Sequence, residues 1–478
     1  MKNYFNFDNS YIDLPNNLYS LQKPTKVNAP KMTIFNRTLA KKLVLNQKKS
    51  YDIQWTRYLS GNELPEGSQP IAQAYAGHQY GNFTMLGDGR AILLGEHLTP
   101  DLKRYDIQLK GAGLTPYSRS GDGRGTLTSM LREYLISESM YALGIPTTRS
   151  LAVVSTGEAV RRNENLKGAI LTRVSKGHIR IGTFQYASAQ GKKTLKTLTD
   201  YTIKRFYPTL MTQENKYLEF FKKVIKKQSL LVAKWQSVGF IHGVLNTDNV
   251  SIIGETIDYG PCAFMNTYDP KTVFSSIDRF GRYAYEKQPK IIKWNLARLA
   301  EALLPLFHHD EKESIKLAEE ALVSFDTCYN DAWQKQMRKK LGLFNKNHQD
   351  MKLITDLLEL MNNNNLDFTN TFFELTSDEK KSSIEVLQPW FDRWYKRRQK
   401  QEETWTDVKL VMRYHNPYII PRNYLVEKVL MAAEEDNLKP FNDFLKALSH
   451  PYDYNEEQKK YTRPPVATEE IRETYCGT

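Results

Sequence analysis

The stretch Ile241–Pro261, IHGVLNTDNVSIIGETIDYGP, decides how the rest of the chain is read. Val250–Ile253 and Thr256–Ile257 are short apolar runs separated by Gly254-Glu255, a spacing that predicts a tight hairpin. Asp248 and Asn249 stand just before the first run and Asp258 just after the second. A hairpin returns on itself, so Asn249 and Asp258 can face one ion from its two mouths. A hard cation such as Mg²⁺ takes few protein oxygens and completes its shell with waters and phosphates. Taken alone, the segment also reads as a buried hairpin with two turn acids.

The spacing adds chemistry. Protein kinases carry H-R-D-L-x-x-x-N followed by D-F-G. Here His242 and Asn249 are seven apart, and Asp258-Tyr259-Gly260 stands in the D-F-G place. The position of the usual catalytic Asp is Val244, which accepts no proton. Asp248 is the nearby replacement, so the frame is kinase-like with a displaced base.

The chain has 478 residues, 40% hydrophobic and 12% aromatic, which is ample for a packed interior. No run of about 18 apolar residues offers a membrane span. The opening MKNYFNFDNSYIDLP lacks an apolar h-region and carries early acids, so no secretory or transit leader is expected. The three cysteines, Cys262, Cys328 and Cys476, form neither a zinc spacing nor a secreted disulfide framework, so a reducing cytoplasm is expected. The net charge is +13, but lysines such as Lys222, Lys223, Lys226 and Lys227 are spread along helical stretches. A solvated helix face explains them better than a nucleic-acid stripe, and a basic cleft for an anionic nucleotide is a third reading.

In chain order, residues 1–60 read as a proline-interrupted N-terminal extension, an extended arm with one helix near Ala40–Leu45. Residues 61–185 follow with glycine-rich loops. Gly87-Asp88-Gly89-Arg90 precedes the apolar Ala91–Leu94, a turn whose amides can approach phosphate while Arg90 adds charge. An ordinary hairpin fits that stretch equally well. Tyr105–Lys110 alternates strictly, with Tyr105, Ile107 and Leu109 on one face and Asp106, Gln108 and Lys110 on the other. A second Gly-Asp-Gly-Arg, including Asp122 and Gly123, lies in the loop before a helix over Thr126–Leu143, which Gly144 and Pro146 end. Glu133 lies mid-helix, and strand Lys110 with helix Glu133 outlines the kinase lysine–glutamate pair. A surface Glu among lysines is the plainer alternative.

Gly168–Phe184 shows two β-rich runs, carrying Arg173 and Arg180, whose planar forks suit phosphate. Nothing in the sequence shows that the two converge. His178 is expected to make a local hydrogen bond rather than ligate. Residues 186–330 carry a long helix over 214–237, the catalytic segment, an irregular stretch from Gly260 to about Pro289, and a helix from Trp294 that stops at Pro305. Residues 331–478 read as helical with breaks at Asn362–Asn365 and Pro417–Pro421, and a loosely held tail from Pro451.

With these residues assembled, the chain resembles the selenoprotein O family of pseudokinase-fold protein adenylyltransferases. The matching blocks are YAGHQYGNFTMLGDGRAILLGE, DIQLKGAGLTPYSRSGDGRG, LREYLISESMYALGIPTTR, LTRVSKGHIRIGTF, GFIHGVLNTDN, TIDYGP and NPYIIPRNYL, which span nearly the whole chain. The resemblance implies an α+β fold: a bilobal kinase-like core with an N-terminal extension and a mostly helical C-terminal region. It implies ATP bound in a flipped orientation and transfer of AMP to Ser, Thr or Tyr hydroxyls of proteins, with release of pyrophosphate. Asp248 is then the general base, and Asn249 and Asp258 hold Mg²⁺ or Mn²⁺. Lys110, supported by Glu133, contacts phosphate. Gly87, Gly89, Arg90, Asp122, Gly123, Arg173, Arg180 and Asp258 line the nucleotide site. UTP in place of ATP stays open, because phosphate-binding groups select no base. Family members often carry a selenocysteine or cysteine near the C-terminus, sometimes paired with a cysteine of the activation segment, which makes Cys262 and Cys476 a candidate redox latch.

Three other readings stand beside this one. HGVLNTDN is near the HGD-x-H-x-x-N style of small-molecule kinases, which would move the γ-phosphate. A nucleotide-binding regulator without turnover would fit Val244. A nucleic-acid binder would fit the charge, but no reading module is present.

Overall fold

The alternation of residues 104–110 fixes the orientation of the central sheet. The computed structural model describes residues 4–45, 53–377 and 381–475. The nine strands of its main sheet are β1 (Tyr19–Leu21), β2 (Lys31–Phe35), β3 (Ile71–Gln79), β4 (Asn82–Gly87), β5 (Ala91–Leu98), β6 (Arg104–Lys110), β7 (Gly125–Thr126), β8 (Arg149–Arg161) and β9 (Asn165–Ser175). Their order is β1-β3-β5-β6-β9-β8-β2, with β4 on β3 and β7 on β9, and the pairs are antiparallel. Lys110 lies opposite Ala91 on one side and Leu171 on the other.

Side chains alternate across a strand. Ile107 and Leu109 therefore enter an apolar layer with Phe35, Leu39, Trp55, Leu59, Ile92 and Leu94, built partly from α1 (Arg37–Lys42) and α2 (Ile53–Leu59). Asp106, Gln108 and Lys110 belong to the opposite face and are buried there as well. On that side lies α3 (Leu127–Ala142), whose Leu131 and Leu135 join Leu171 and Val153 in the main core. The Thr126 hydroxyl caps α3 by accepting from the Ser129 amide, and Gly144 ends it in the left-handed region at φ +73°. The expected arm is woven into the sheet, since β1 and β2 form the two ends of its main strand order.

Beyond the sheet the chain is mostly helical: α4 (Ile181–Ala189), α5 (Lys192–Phe206), α6 (Lys216–Ser237), α7 (Gln288–Phe307), α8 (Glu311–Lys340), α9 (Asp350–Asn363), α10 (Phe368–Glu374), α11 (Gln388–Arg398), α12 (Trp405–His415), α13 (Asn423–Glu434), α14 (Lys439–Leu448) and α15 (Glu456–Lys459). The protein is thus α+β with a helical C-terminal region. The boundaries expected at 185/186 and 330/331 fall inside α4 and α8. Among the described residues, no helix is long and apolar enough to cross a membrane.

Four local expectations need correction. The 250–257 hairpin is a turn whose arms do not pair with each other. The Gly254 amide closes it onto Ser251 O at 3.1 Å with Gly254 at φ +71°. The first arm bonds to residues 179–181 (Ile181 N to Val250 O, 2.9 Å), and the second to residues 146–148 (Thr256 N to Pro146 O, 2.9 Å). Arms this short offer each other few ladder bonds, and these outside segments satisfy the same groups. The second β-rich run, at Ile179–Phe184, is the start of α4. Ile179 and Ile181 flank Arg180 as in a strand, but Thr183 Oγ1 accepts the Arg180 amide and turns the chain into a helix. α7 begins before Trp294 and continues two residues past Pro305. The tail is held at Thr474, which pairs beside Ser275 and donates through Oγ1 to Pro261 O at 2.6 Å.

Candidate active site

Three cations from three elements meet one carboxylate. Lys110 ends β6, Arg173 lies in β9 and Arg180 caps α4. Lys110 Nζ is 2.9 Å from Asp258 Oδ1, Arg173 Nη2 2.5 Å from Oδ1, and Arg180 Nη1 3.2 Å from Oδ2. Glu133, on the inner face of α3, lies 2.6 Å from both Lys110 Nζ and Arg173 Nη2. The lysine–glutamate pair is present and buried, and Arg173 shares its glutamate. Gln108, also on the polar face of β6, accepts from Arg173 at 3.2 Å and donates to Asp88 at 3.2 Å.

The charge balance fixes protonation. Burial alone would raise the Asp258 carboxyl, but Arg173, then Lys110 and Arg180, hold it well below the ordinary range. Burial likewise opposes ionisation of Glu133, and Arg173 and Lys110 outweigh it. Both acids are therefore ionised. Asp258 occupies the left-handed region at φ +63°, a costly conformation for a non-glycine residue that clusters at functional sites.

Asp248 is in a different setting. It lies in a short 3-10 turn, Thr247–Asn249, and its Oδ1 is buried with no hydrogen-bond partner. Burial pushes its carboxyl up to about 6, against the pull of Arg180. Arg180 Nη1 also donates to the Asp248 backbone carbonyl at 2.9 Å, so one guanidinium touches both acids. The β3–β4 hairpin covers this turn. The His78 amide donates to Thr247 Oγ1 at 2.9 Å and the Tyr80 amide to Asn246 Oδ1 at 3.1 Å. A Cβ on Gly77 would lie 2.7 Å from both Asp248 Cγ and Leu86 Cδ1.

Asn249 spends its amide N–H on Val244 O at 3.1 Å, which leaves its Oδ1 as an acceptor. That oxygen and the ionised Asp258 fit a divalent cation of the hard, phosphate-sharing kind. Among the described residues no three His, Cys, Asp or Glu side chains cluster as a self-sufficient metal site.

The other expected residues divide. Gly87 and Gly89 admit the 115–118 loop: a Cβ on Gly87 would strike the Tyr117 ring, and one on Gly89 would lie 3.0 Å from Tyr117 O. Arg90 follows, half-buried, and its carbonyl accepts from Gly111 at 2.7 Å. Asp122 is not drawn into the cluster; it pairs with Arg162 at 2.8 Å near the surface. Gly123 turns in the left-handed region at φ +68°, its carbonyl accepting from the Gly113 amide. His178 makes the local bond expected, 3.0 Å to Asp106. Cys262 is buried, and burial pushes its thiol up to about 12; Cys476 lies outside the described residues.

Sequence reasoning missed Asp88, Gly77 and Gly182. Asp88 is buried, accepts from Gln73 N and Gln108, and lies 3.6 Å from Arg180. Gly182 lies so close to Ala76 O that a Cβ has no room. The signal was available at Gly77, because a glycine inside an apolar strand marks a close approach.

The family model described as protein adenylyltransferase SelO matches residues 3–449. The protein nucleotidyltransferase YdiU of Anoxybacillus flavithermus is 54% identical over 476 residues, covering 99% of each chain. That of Halalkalibacterium halodurans is 54% identical over 482 residues, covering 99% and 98%. That of Clostridium beijerinckii is 53% identical over 477 residues, covering 98% and 97%. With its ion cluster and the Thr247–Asn249 turn inside the matched region, the chain belongs to the protein adenylyltransferase SelO family of nucleotidyltransferase enzymes.

Proposed function

We propose that the chain transfers AMP from ATP to Ser, Thr or Tyr hydroxyls of cytoplasmic proteins and releases pyrophosphate. The core that does so is read as bilobal and kinase-like, with ATP flipped so that its α-phosphate meets the acceptor. The observation that carries this reading is the convergence of Lys110, Arg173 and Arg180 on Asp258, next to the unpartnered carboxylate oxygen of Asp248.

Attack on phosphorus depends mainly on positioning and charge neutralisation. Lys110 and Arg173, oriented by Glu133, present positive charge to phosphate oxygens. Arg180 holds the Asp248 backbone and reaches the same cluster. The acceptor oxygen bonds to the α-phosphorus, the bond to the β-phosphate oxygen breaks, and pyrophosphate leaves with that electron pair. Asp248 takes the acceptor proton; a carboxyl near pH 6 is poised for that exchange at neutral pH. Asn249 and Asp258 would hold Mg²⁺ or Mn²⁺, which when bound neutralises phosphate charge. UTP is a candidate alternative donor.

The test uses ATP labelled at the α- or the γ-phosphate, with wild type, Asp248→Ala and Asp258→Ala. Label from the α-position alone, lost in both variants, is expected. Label from the γ-position alone would replace this reading with phosphotransfer. Bound ATP with no label from either position, under reducing conditions, would replace it with a regulator.

A redox latch between Cys262 and Cys476 is a separate proposal. It is supported by the tail strand at Thr474, which reaches Pro261, the residue before Cys262. Because Cys262 is buried, closing the bond requires the local core to open. The free-thiol count should fall under oxidant in wild type but not in Cys476→Ser; no change in the wild-type count would end the idea.

A further inference from the structure

Next to the covered catalytic turn, the protein exposes aromatic surface beside two arginines, Arg282 and Arg298, of which Arg282 has no carboxylate within reach among the described residues. His78 follows Gly77, the residue that abuts Asp248, and its ring lies 5.1 Å from Phe83 and 5.2 Å edge-on to Trp294. The Arg282 guanidinium stacks over Trp294 at 4.8 Å, and Arg298 over the same ring at 5.0 Å. Phe280, two residues before Arg282, is 94% exposed, and Phe83 is 49% exposed. Such exposure of large apolar side chains at the rim of a site marks an interaction surface.

Of the two guanidinium groups over Trp294, one is balanced by an acid and one is not. Among the described residues, Arg298 has Glu301 as its acid, whereas no carboxylate lies within 4.0 Å of Arg282. Asp278 is turned inward, accepting from the backbone amides of Arg282 and Tyr283, each at 2.8 Å. The chain as a whole carries +13, a field that steers acidic partners.

We propose that this rim is the acceptor-docking surface, and that it receives an acidic protein segment bearing an aromatic side chain next to the hydroxyl to be modified. The aromatic side chain packs on Phe280, Phe83 and Trp294, and the acids meet Arg282. This rests on the nucleotidyl-transfer reading for its purpose, but the docking itself is measurable without turnover. Arginine and aromatic groups also bind single-stranded nucleic acid. The exposed Phe280, flanked by arginines rather than aligned with a basic groove, favours a protein segment, and nucleic acid becomes an outcome of the test.

The probe is a fluorescent synthetic peptide with one Tyr, one Phe and flanking Asp and Glu, compared with the same peptide carrying Lys for the acids and with an oligothymidylate. Binding is read by anisotropy on the full chain, and labelling by α-phosphate-labelled ATP on the same peptides. The acidic peptide should bind at least about tenfold more tightly than its lysine counterpart. Phe280→Ala should weaken it about five- to tenfold. Arg282→Glu should abolish the preference, and Arg282→Lys should retain part of it. ATP binding and the melting temperature of each variant should match wild type, which separates lost docking from lost folding. Equal binding of acidic and lysine peptides, insensitivity to both substitutions, or tighter binding of oligothymidylate would overturn the proposal. Acidic-peptide binding with no α-label anywhere would overturn the transfer reading and leave the docking surface standing.

Discussion

Gly77→Ala tests whether the β3–β4 hairpin sets the position of Asp248. Gly77 is outside the left-handed region, so its backbone accepts alanine and only space is at issue. The new methyl would lie 2.7 Å from Asp248 Cγ and from Leu86 Cδ1. Ordinary contact begins near 3.5 Å, so both contacts must open by about 0.8 Å. Overpacking of this kind costs about 1–3 kcal/mol of stability. A displacement near 1 Å at a reacting group costs about 100-fold in rate. Lys110, Arg173 and Glu133 lie on other elements, so ATP binding should change little. The assay is α-phosphate label transfer under saturating ATP, with ATP affinity and melting temperature measured alongside. In the Asp248→Ala background, Gly77→Ala should add almost nothing, since both act through one carboxylate. A Gly77→Ala enzyme within about threefold of wild type would refute the idea that this contact positions the base. So would equal losses in the two backgrounds.

Glu133→Gln leaves the buried Lys110 and Arg173 with Asp258 as their one shared carboxylate; a loss of about 3 kcal/mol by denaturant titration is expected, together with weaker ATP binding. Lys340 is buried with its Nζ 4.1 Å over the Phe372 ring, and burial lowers it from 10.5 to about 7. Because the folded state binds this proton less well, stability should rise with pH between about 7 and 10.5, and Lys340→Met should raise the melting temperature at pH 7 and flatten that rise. Asp106 contacts Arg205 at 2.5 Å and His178 at 3.0 Å, and these partners outweigh burial to hold its carboxyl below the ordinary 3.8. Its contribution should be complete above that value and vanish as pH falls further, so Asp106→Asn should destabilise at pH 7 and approach wild type in acid.

The parts of the site written in local pattern were legible. Strict alternation gave β6, and with it the polar face that carries Lys110. A closing glycine and the proline after it marked the end of α3, and with it the helix that carries Glu133. Convergence was not legible. Arg173 and Arg180 are seven residues apart, one in a strand and one capping a helix, and only the crossing of β9 and α4 brings both to Asp258. The 250–257 arms misled because short apolar runs record that they pair, but not with what. Gly77 and Gly182 are small because of neighbours distant in sequence, Asp248 and Ala76. Tail docking at Thr474 depends on carbonyls of Pro261 and Phe274, which no periodicity announces.

Arg132 stands beside Glu133 on α3 and faces the other way. It donates to Cys262 O at 2.8 Å, to Asn423 Oδ1 at 2.8 Å and to Glu427 Oε1 at 2.5 Å. The helix that sets Glu133 against Lys110 and Arg173 is thus moored to α13, almost three hundred residues downstream. During synthesis the sheet and α3 emerge long before that mooring exists. A nascent chain can form the strands that carry Lys110 and Arg173 while the helix between them still lacks its rear support. The support behind Glu133 is therefore a long-range one, complete only once α13 has been made and has docked.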